Sequence, residues 1–399
     1  MTIEQVGIVG AGTMGTGIAL VSCLGRYATR IHDPDEAILE EAQTMIGNAL
    51  AEGEDKHWTA EEAEAASGRL RPAAALADLA GSDLIIEAAP EDLVLKRRIF
   101  ADLAAICGPE TILATNTSSL RVADIAADSP HPELIVGMHF FNPPVLMKLV
   151  EVVATEASSA RALRVATDVA DEMDRTPIRA RDTPGFIANR LARPFSLESL
   201  RMLADEVADP PTIDRVCRIG GGFRMGPFEL LDLIGLDVNL SIARSFYEQG
   251  GRPERWRPSP IQERMVEKGR LGRKSGSGFY DYGAGRHRKK DPELGIQAPT
   301  LDPAELSRID PAAPEILPRL IAQIANEAAF ALEEGVGSPA DMNTAMRLGF
   351  NWPLGPLEMT GLIGPRRAVQ VLEELRGRLG DAYLPAPRLI AAAAEGEDA

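Results

Sequence analysis

Hydrophobic residues follow two rhythms along this chain. Up to about residue 155 they come in short apolar runs at 6–9, 84–88, 111–114, 134–138 and 146–153, separated by stretches such as 35–50 and 94–106 with helical spacing. Strands alternating with helices predict a doubly wound α/β sheet with parallel strands. From Thr183-Pro184-Gly185 onward the strand signal vanishes, and Ile187, Leu191, Phe195, Leu200, Leu203 and Val207 recur three to five residues apart, as one helix face would. A helical domain is therefore expected over 184–284, after a first domain over 1–183. The stretch 285–312 is rich in Gly, Pro, Arg and Asp without an apolar period and reads as a linker.

Residues 313–399 repeat the helical pattern. Setting Arg190 against Arg319 keeps register without a gap through Gly235 against Gly364, at an offset of 129. Glu198/Glu327, Arg218/Arg347, Gly226-Pro227/Gly355-Pro356 and Glu229/Glu358 all match, and Trp256-x-Pro258-x-Pro260 pairs with Tyr383-x-Pro385-x-Pro387 at an offset of 127. The fold class expected is an α/β Rossmann-type sheet followed by two all-α domains related by duplication, the second a truncated copy. That copy is expected to pack within the chain on the first helical domain.

Composition narrows the function. Lys plus Arg number 42 against 59 Asp plus Glu, a formal charge of -17 over 399 residues, so the chain would repel phosphate backbones and nucleic acid is not an expected partner. No apolar run approaches the ~20 residues of a membrane span, and the N-terminus lacks a signal-peptide pattern. Three widely spaced cysteines, Cys23, Cys107 and Cys217, fit no disulfide or zinc framework and suit a reducing compartment. A soluble cytoplasmic protein without membrane contact is expected.

Gly10-Ala11-Gly12-Thr13-Met14-Gly15 follows the first strand and opens a helix carrying Ile18, Val21 and Leu24. In that context the first glycine allows the tight turn, the second lets a pyrophosphate approach the backbone, and the third lets helix and strand pack closely. Asp33 follows Gly12 by 21 residues at the end of the next strand, where a carboxylate accepts hydrogen bonds from an adenosine ribose. Its charge would repel the 2′-phosphate of NADP, so NAD is the expected cofactor; Arg30, just upstream, is the one residue that could turn to such a phosphate.

Several residues carry candidate chemistry. Ser118 lies in Thr115-Asn116-Thr117-Ser118-Ser119 past an apolar strand, where ligands bind in such sheets, although it could equally cap the following helix. His139 precedes Phe140-Phe141-Asn142-Pro143-Pro144. Glu151 interrupts an apolar strand, with Val150 and Val152 on its other face; a carboxylate there is costly without a partner, and His139 is the nearest candidate. A carboxylate-oriented imidazole is a general base suited to taking a proton from an alcohol. His32, His57, His131 and His287 lack such a partner in the sequence, and no metal spacing is present. Asn189 falls in the first turns of the second domain's first helix, where an amide could point into an interdomain cleft. The copy has Pro318 there, so the amide is not needed merely to start the helix.

Met138-His139-Phe140-Phe141-Asn142-Pro143, Asp182-Thr183-Pro184-Gly185-Phe186 and Leu271-Gly272-Arg273-Lys274 closely resemble the L-3-hydroxyacyl-CoA dehydrogenase family, and Gly222-Phe223-Arg224-Met225-Gly226-Pro227-Phe228-Glu229 is similar to its 3-hydroxyadipyl-CoA and 3-hydroxybutyryl-CoA members. The resemblance implies that His139 is the catalytic base, that Glu151 orients it, and that Ser118 and Asn189 bind the reacting oxygen and thioester. It implies cofactor contacts at Asp33, Glu91, Lys96, Ser118, Asn142 and Lys274, and an acyl-CoA substrate. In the family, basic residues on the helical hairpin after Asp33 hold coenzyme A. Here 35–64 carries ten acids and one lysine, Lys56, and one family contact position is Ala49. Lys56 is thus the single basic substrate candidate of the hairpin. The alternatives are a relative acting on a small hydroxy acid, such as the L-gulonate dehydrogenases, and a non-catalytic dinucleotide-binding protein.

Overall fold

A computed structural model describes residues 3–53, 57–283 and 291–395. The chain forms two compact units, Met1–Phe186 and Ile187–Ala399. The first alternates strands and helices: β1 (Gln5–Val9), α1 (Thr13–Leu24), β2 (Ala28–His32), α2 (Glu36–Gly53), α3 (Ala60–Arg69), β3 (Leu70–Ala73), β4 (Leu84–Glu87), α4 (Leu93–Ile106), β5 (Ile112–Thr115), α5 (Val122–Ala126), β6 (Ile135–Phe140), β7 (Leu149–Ala154), α6 (Ala160–Glu172) and β8 (Thr176–Arg181). They build one eight-stranded sheet in the order β3-β2-β1-β4-β5-β6-β7-β8. Val6, Ile8, Leu84, Ile86, Ile112 and Ala114 are fully buried, as strands covered on both faces by helices must be.

The all-parallel expectation needs one correction. β1 to β6 pair in parallel, but β7 runs antiparallel to β6 before β8 again pairs parallel to it. Only eight residues, 141–148, join β6 to β7, too few for a crossover helix. The order of chain travel reverses between β1 and β4, so the ligand-binding crevice of such a sheet lies at the carboxyl ends of those strands.

The second unit is helical. Its first set is α7 (Ala188–Ala204), α8 (Pro210–Ile219), α9 (Pro227–Ile234), α10 (Leu236–Gln249) and α11 (Pro260–Glu267); after α12 (Pro303–Ile309) comes a second set, α13 (Ala313–Glu333), α14 (Pro339–Gly349), α15 (Pro356–Ile363), α16 (Pro365–Leu379) and α17 (Pro387–Glu395). The starts of α8, α9 and α10 map on those of α14, α15 and α16 at the sequence offset of 129, and α11 maps on α17 at 127. Even the caps repeat: Gly226 N–H donates to Glu229 and Gly355 N–H to Glu358. Only glycine fits at either cap, because a Cβ would lie 2.3 Å from Asp214 or 2.2 Å from Asn343.

The two sets meet through reciprocal charges. Arg190 Nε donates to Glu327 at 2.7 Å, and its repeat partner Arg319 donates to Glu198 at 2.5 Å. Arg190 also reaches Glu334 and Arg319 reaches Asp205, again equivalent positions. Trp256 Nε1 donates to Glu327 while Tyr383, its counterpart, donates to Glu198. When residue i meets j of the other copy and j meets i, the two sets are related by an approximate twofold, the geometry of an isologous interface. Both arginines and both glutamates are at most 3% exposed, so each depends on its partner.

The linker expectation for 285–312 fails over its described part. Asp291 takes a two-toothed hydrogen bond from Arg218 at 2.7 and 2.8 Å, Thr300 N–H donates to Gly220 O, and α12 buries Leu306 and Ile309. Its apolar anchors, Leu301, Leu306 and Ile309, are too sparse to produce a visible period, but Gly220 leaves room for two of them: a Cβ there would meet Leu306 at 2.8 Å and Ile309 at 3.1 Å. Within the described residues the two helical sets and this stretch form one compact unit rather than separate domains, and the first unit ends at Phe186 rather than 183. No helix among the described residues is long and apolar enough to cross a membrane.

Candidate active site

Six parallel strands present their carboxyl ends along one edge of the first unit, and the glycine loop opens it. Gly10 has φ +95° and a Cβ there would meet Ala88 O at 2.7 Å, while a Cβ on Gly15 would strike Gly10 O at 1.7 Å. A Cβ on Gly12, by contrast, would project into open space, so the N–H groups at the start of α1 face a volume that a pyrophosphate can enter. Asp33 Oδ2 accepts from Ala11 N–H at 2.9 Å and Oδ1 from Asp35 N–H, which fixes the carboxylate beside that loop with lone pairs to spare for a ribose. Arg30 points elsewhere, donating to Asp78 O at 2.9 Å, so it is not turned toward a 2′-phosphate. These residues fit NAD. Asp33→Ala is expected to erode the preference for NAD over NADP, measured as the ratio of kcat/KM values; equal efficiency with both cofactors in the unmodified enzyme would refute the assignment.

Farther along the edge, Glu91 gathers the loop after β5. Its Oε1 accepts from Thr117 Oγ1, Ser118 N–H, Ser119 N–H and Ser119 Oγ, all between 2.7 and 3.0 Å. Burial opposes its charge, but the hydrogen bond from Thr117, the Lys96 ammonium and the Ser119 and Ser118 donors together hold the carboxyl below its usual pKa. Ser118 is exposed on this loop and does not cap α5, whose N-cap is Arg121. Lys96, expected to touch cofactor, is instead 1% exposed, donating to Glu87 at 2.7 Å and to Ala89 O at 3.2 Å. It is a support beneath the loop. Sequence reading missed Glu87, which also accepts from Thr115 Oγ1 and Ala89 N–H, and Asn116, whose Oδ1 accepts from Phe140 N–H beside His139.

The β6–β7 reversal places His139 and Glu151 directly opposite each other in register, flanked on the far side by Ile178 of β8. Opposed residues of an antiparallel pair share one face with Cβ atoms about 5 Å apart, and here His139 Nδ1 lies 2.7 Å from Glu151 Oε2. Glu151 is fully buried and His139 6% exposed. With Nδ1 committed to the carboxylate, Nε2 is the nitrogen that can take a substrate proton. Phe141 and Phe186 pack on the ring at centroid distances of 4.6 and 5.8 Å, Phe186 from a turn in which both it and Gly185 have positive φ. Asn142 lies exposed just past β6.

Asn189 sits half-buried in the first turn of α7, and Lys274 is exposed, donating to Asp237 at 2.6 Å; both belong to the second unit. Lys56 and His287 lie outside the described residues. His131 does have a carboxylate neighbour, Glu133 at 3.2 Å, but both are exposed, and buried His32 is held by Ala73 O at 2.9 Å. No cluster of three or more metal-ligating side chains occurs among the described residues.

Residues 5–183 match the family model described as "3-hydroxyacyl-CoA dehydrogenase, NAD binding domain", and residues 185–282 and 316–397 each match that of the same family's C-terminal domain. The chain belongs to the 3-hydroxyacyl-CoA dehydrogenase family. It is an NAD-dependent dehydrogenase by that membership, and the twofold match to one C-terminal model restates the internal repeat. A 3-hydroxyadipyl-CoA dehydrogenase of Escherichia coli is 34% identical, over 96% of this chain and 95% of that protein. A probable 3-hydroxybutyryl-CoA dehydrogenase of Deinococcus radiodurans is 38% identical over 70% of this chain and all of its own. The crystal structure of a 3-hydroxybutyryl-CoA dehydrogenase from Escherichia coli superposes over the full length of both chains with a TM-score of 0.91 at 34% identity.

Proposed function

We propose that this chain interconverts a short (S)-3-hydroxyacyl-CoA and the 3-oxoacyl-CoA, with a substrate such as 3-hydroxybutyryl-CoA or 3-hydroxyadipyl-CoA. The observation that carries the reading is the buried His139–Glu151 pair, set across a strand reversal at the same sheet edge as the glycine loop. NAD, when bound there, supplies the hydride acceptor. His139 Nε2 removes the hydroxyl proton, and Glu151, held at Nδ1, keeps the ring in that tautomer and stabilises the imidazolium that forms. Ser118, displayed by the Glu91-anchored loop, positions the reacting oxygen, and Asn189 the thioester. Glu91, Asn142 and Lys274 are proposed to line the cofactor's nicotinamide side. We place the enzyme in the cytoplasm, in keeping with its three free cysteines, and assign the second helical set the role that a partner subunit would otherwise fill.

The test is NADH absorbance with acetoacetyl-CoA beside free acetoacetate. Oxidation of NADH with the thioester and none with the free acid is the expected result. Turnover confined to carrier-free hydroxy or oxo acids would overturn the reading in favour of a small hydroxy acid dehydrogenase.

A further inference from the structure

One buried arginine of the second unit has no counter-charge among the described residues. Arg193, on α7, is 6% exposed, and its Nε and Nη1 have no hydrogen-bond partner among the described residues. Arg215, Arg218 and Arg319 also leave one nitrogen open, but each carries a carboxylate on another: Asp310, Asp291 and Glu198. Its guanidinium lies over the face of Phe246, 5.5 Å from the ring centre. Burial with no carboxylate beside it lowers the guanidinium to about 10. A cationic side chain taken out of water in this way is unfavourable unless an anion joins it.

The surroundings suggest where that anion comes from. Arg193 lines a small cavity with Phe195, Ser196, Leu231 and, from the second helical set, Phe350 and Trp352, leaving about 20 Å³, room for a group the size of a carboxylate oxygen. The walls are apolar apart from Ser196 and Asn239. A water molecule would satisfy one donor and leave the charge uncompensated. In the second set the equivalent of Arg193 is Ala322, within a helix that packs as well, so neither the fold nor its packing requires an arginine at this place.

Arg193 stands four residues after Asn189, on the same helix face and about 6 Å farther along the axis, the span of a short acyl chain. We propose that Arg193 recognises a carboxylate at the far end of the acyl chain, so that the preferred substrate is the coenzyme A thioester of a 3-hydroxy dicarboxylic acid. This rests on the reading above, in which Asn189 holds the thioester end. A buried site built to pair a charged group discriminates strongly against an analogue that lacks it, because the binding group is then left alone.

The experiment compares 3-oxoadipyl-CoA with 3-oxohexanoyl-CoA, equal in chain length and differing in the terminal carboxylate, as substrates for NADH oxidation by the intact enzyme. The carboxylate-ended thioester should be favoured in kcat/KM by about 100-fold or more. In Arg193→Met that ratio should fall toward one, and in Arg193→Lys it should be partly kept. A ratio near one in the unmodified enzyme overturns the proposal even if neither variant folds. Acetoacetyl-CoA in the same preparation separates the two claims: its reduction without any carboxylate preference removes only Arg193's role, whereas no reduction of any thioester removes the dehydrogenase reading and this inference together.

Discussion

His139→Gln is expected to abolish measurable turnover while leaving NADH binding, followed by nicotinamide fluorescence, nearly intact. Glutamine fills much of the same space beside Phe141 and Phe186 but has no basic nitrogen, and a positioned general base contributes ~100-fold to 10,000-fold. The cofactor loop lies on other strands, with Asp33 tied to Ala11 and Glu91 to the Ser118 loop, and these hydrogen bonds do not pass through the imidazole. Glu151→Gln should lose a large part of the same factor for a different reason. The amide can still meet Nδ1, but it carries no charge to stabilise the imidazolium and can present its NH2 and hold the wrong tautomer, the effect that lowers the rate ~10,000-fold when a triad aspartate becomes asparagine. Two outcomes would contradict the mechanism: normal turnover by His139→Gln, or loss of NADH binding as severe as the loss of rate.

That pair was readable from the sequence because a carboxylate inside Leu149-Val150-Glu151-Val152-Val153 has few ways to be tolerated. The same argument applies to Glu87 in Leu84-Ile85-Ile86-Glu87, whose partner Lys96 lies nine residues on, in a helix where the family resemblance implies a cofactor contact. β3 and β8 escaped detection because each is half polar. β3 is an edge strand of Leu70-Arg71-Pro72-Ala73, and β8 alternates Ile178 and Ala180 with exposed Thr176, Arg179 and Arg181. The β6–β7 reversal is invisible to periodicity, which reports which face a residue takes and not the direction of the strand. The repeat, by contrast, was legible in the residues: the proline and glycine caps paired at one offset stand in the structure at the starts of α8, α9 and α10 and of α14, α15 and α16.

The last expectation concerns that second set. A chain ending near Gly283 would leave Arg190 without Glu327 and Glu334, and Glu198 without Arg319 and Tyr383, on a face also carrying Leu191 and Leu200, both fully buried in the intact chain. Removing one partner of a buried ion pair typically costs ~3–5 kcal/mol, because the charge left behind stays desolvated, and here two such pairs and their apolar surround are opened together. The reciprocal arrangement offers a remedy. In a twofold dimer of truncated chains, Arg190 of each would find Glu198 of the other, since Glu198 and Glu327 are equivalent positions. The truncated chain is therefore expected to dimerise through this face, or to aggregate where pairing is incomplete, whereas the full chain satisfies it internally. Light scattering of the two chains decides the matter, and Glu198→Arg in the truncated chain should block the dimer by setting like charges against each other. A truncated chain that stays monomeric, soluble and fully active would mean that the second set is not a substitute for a missing subunit.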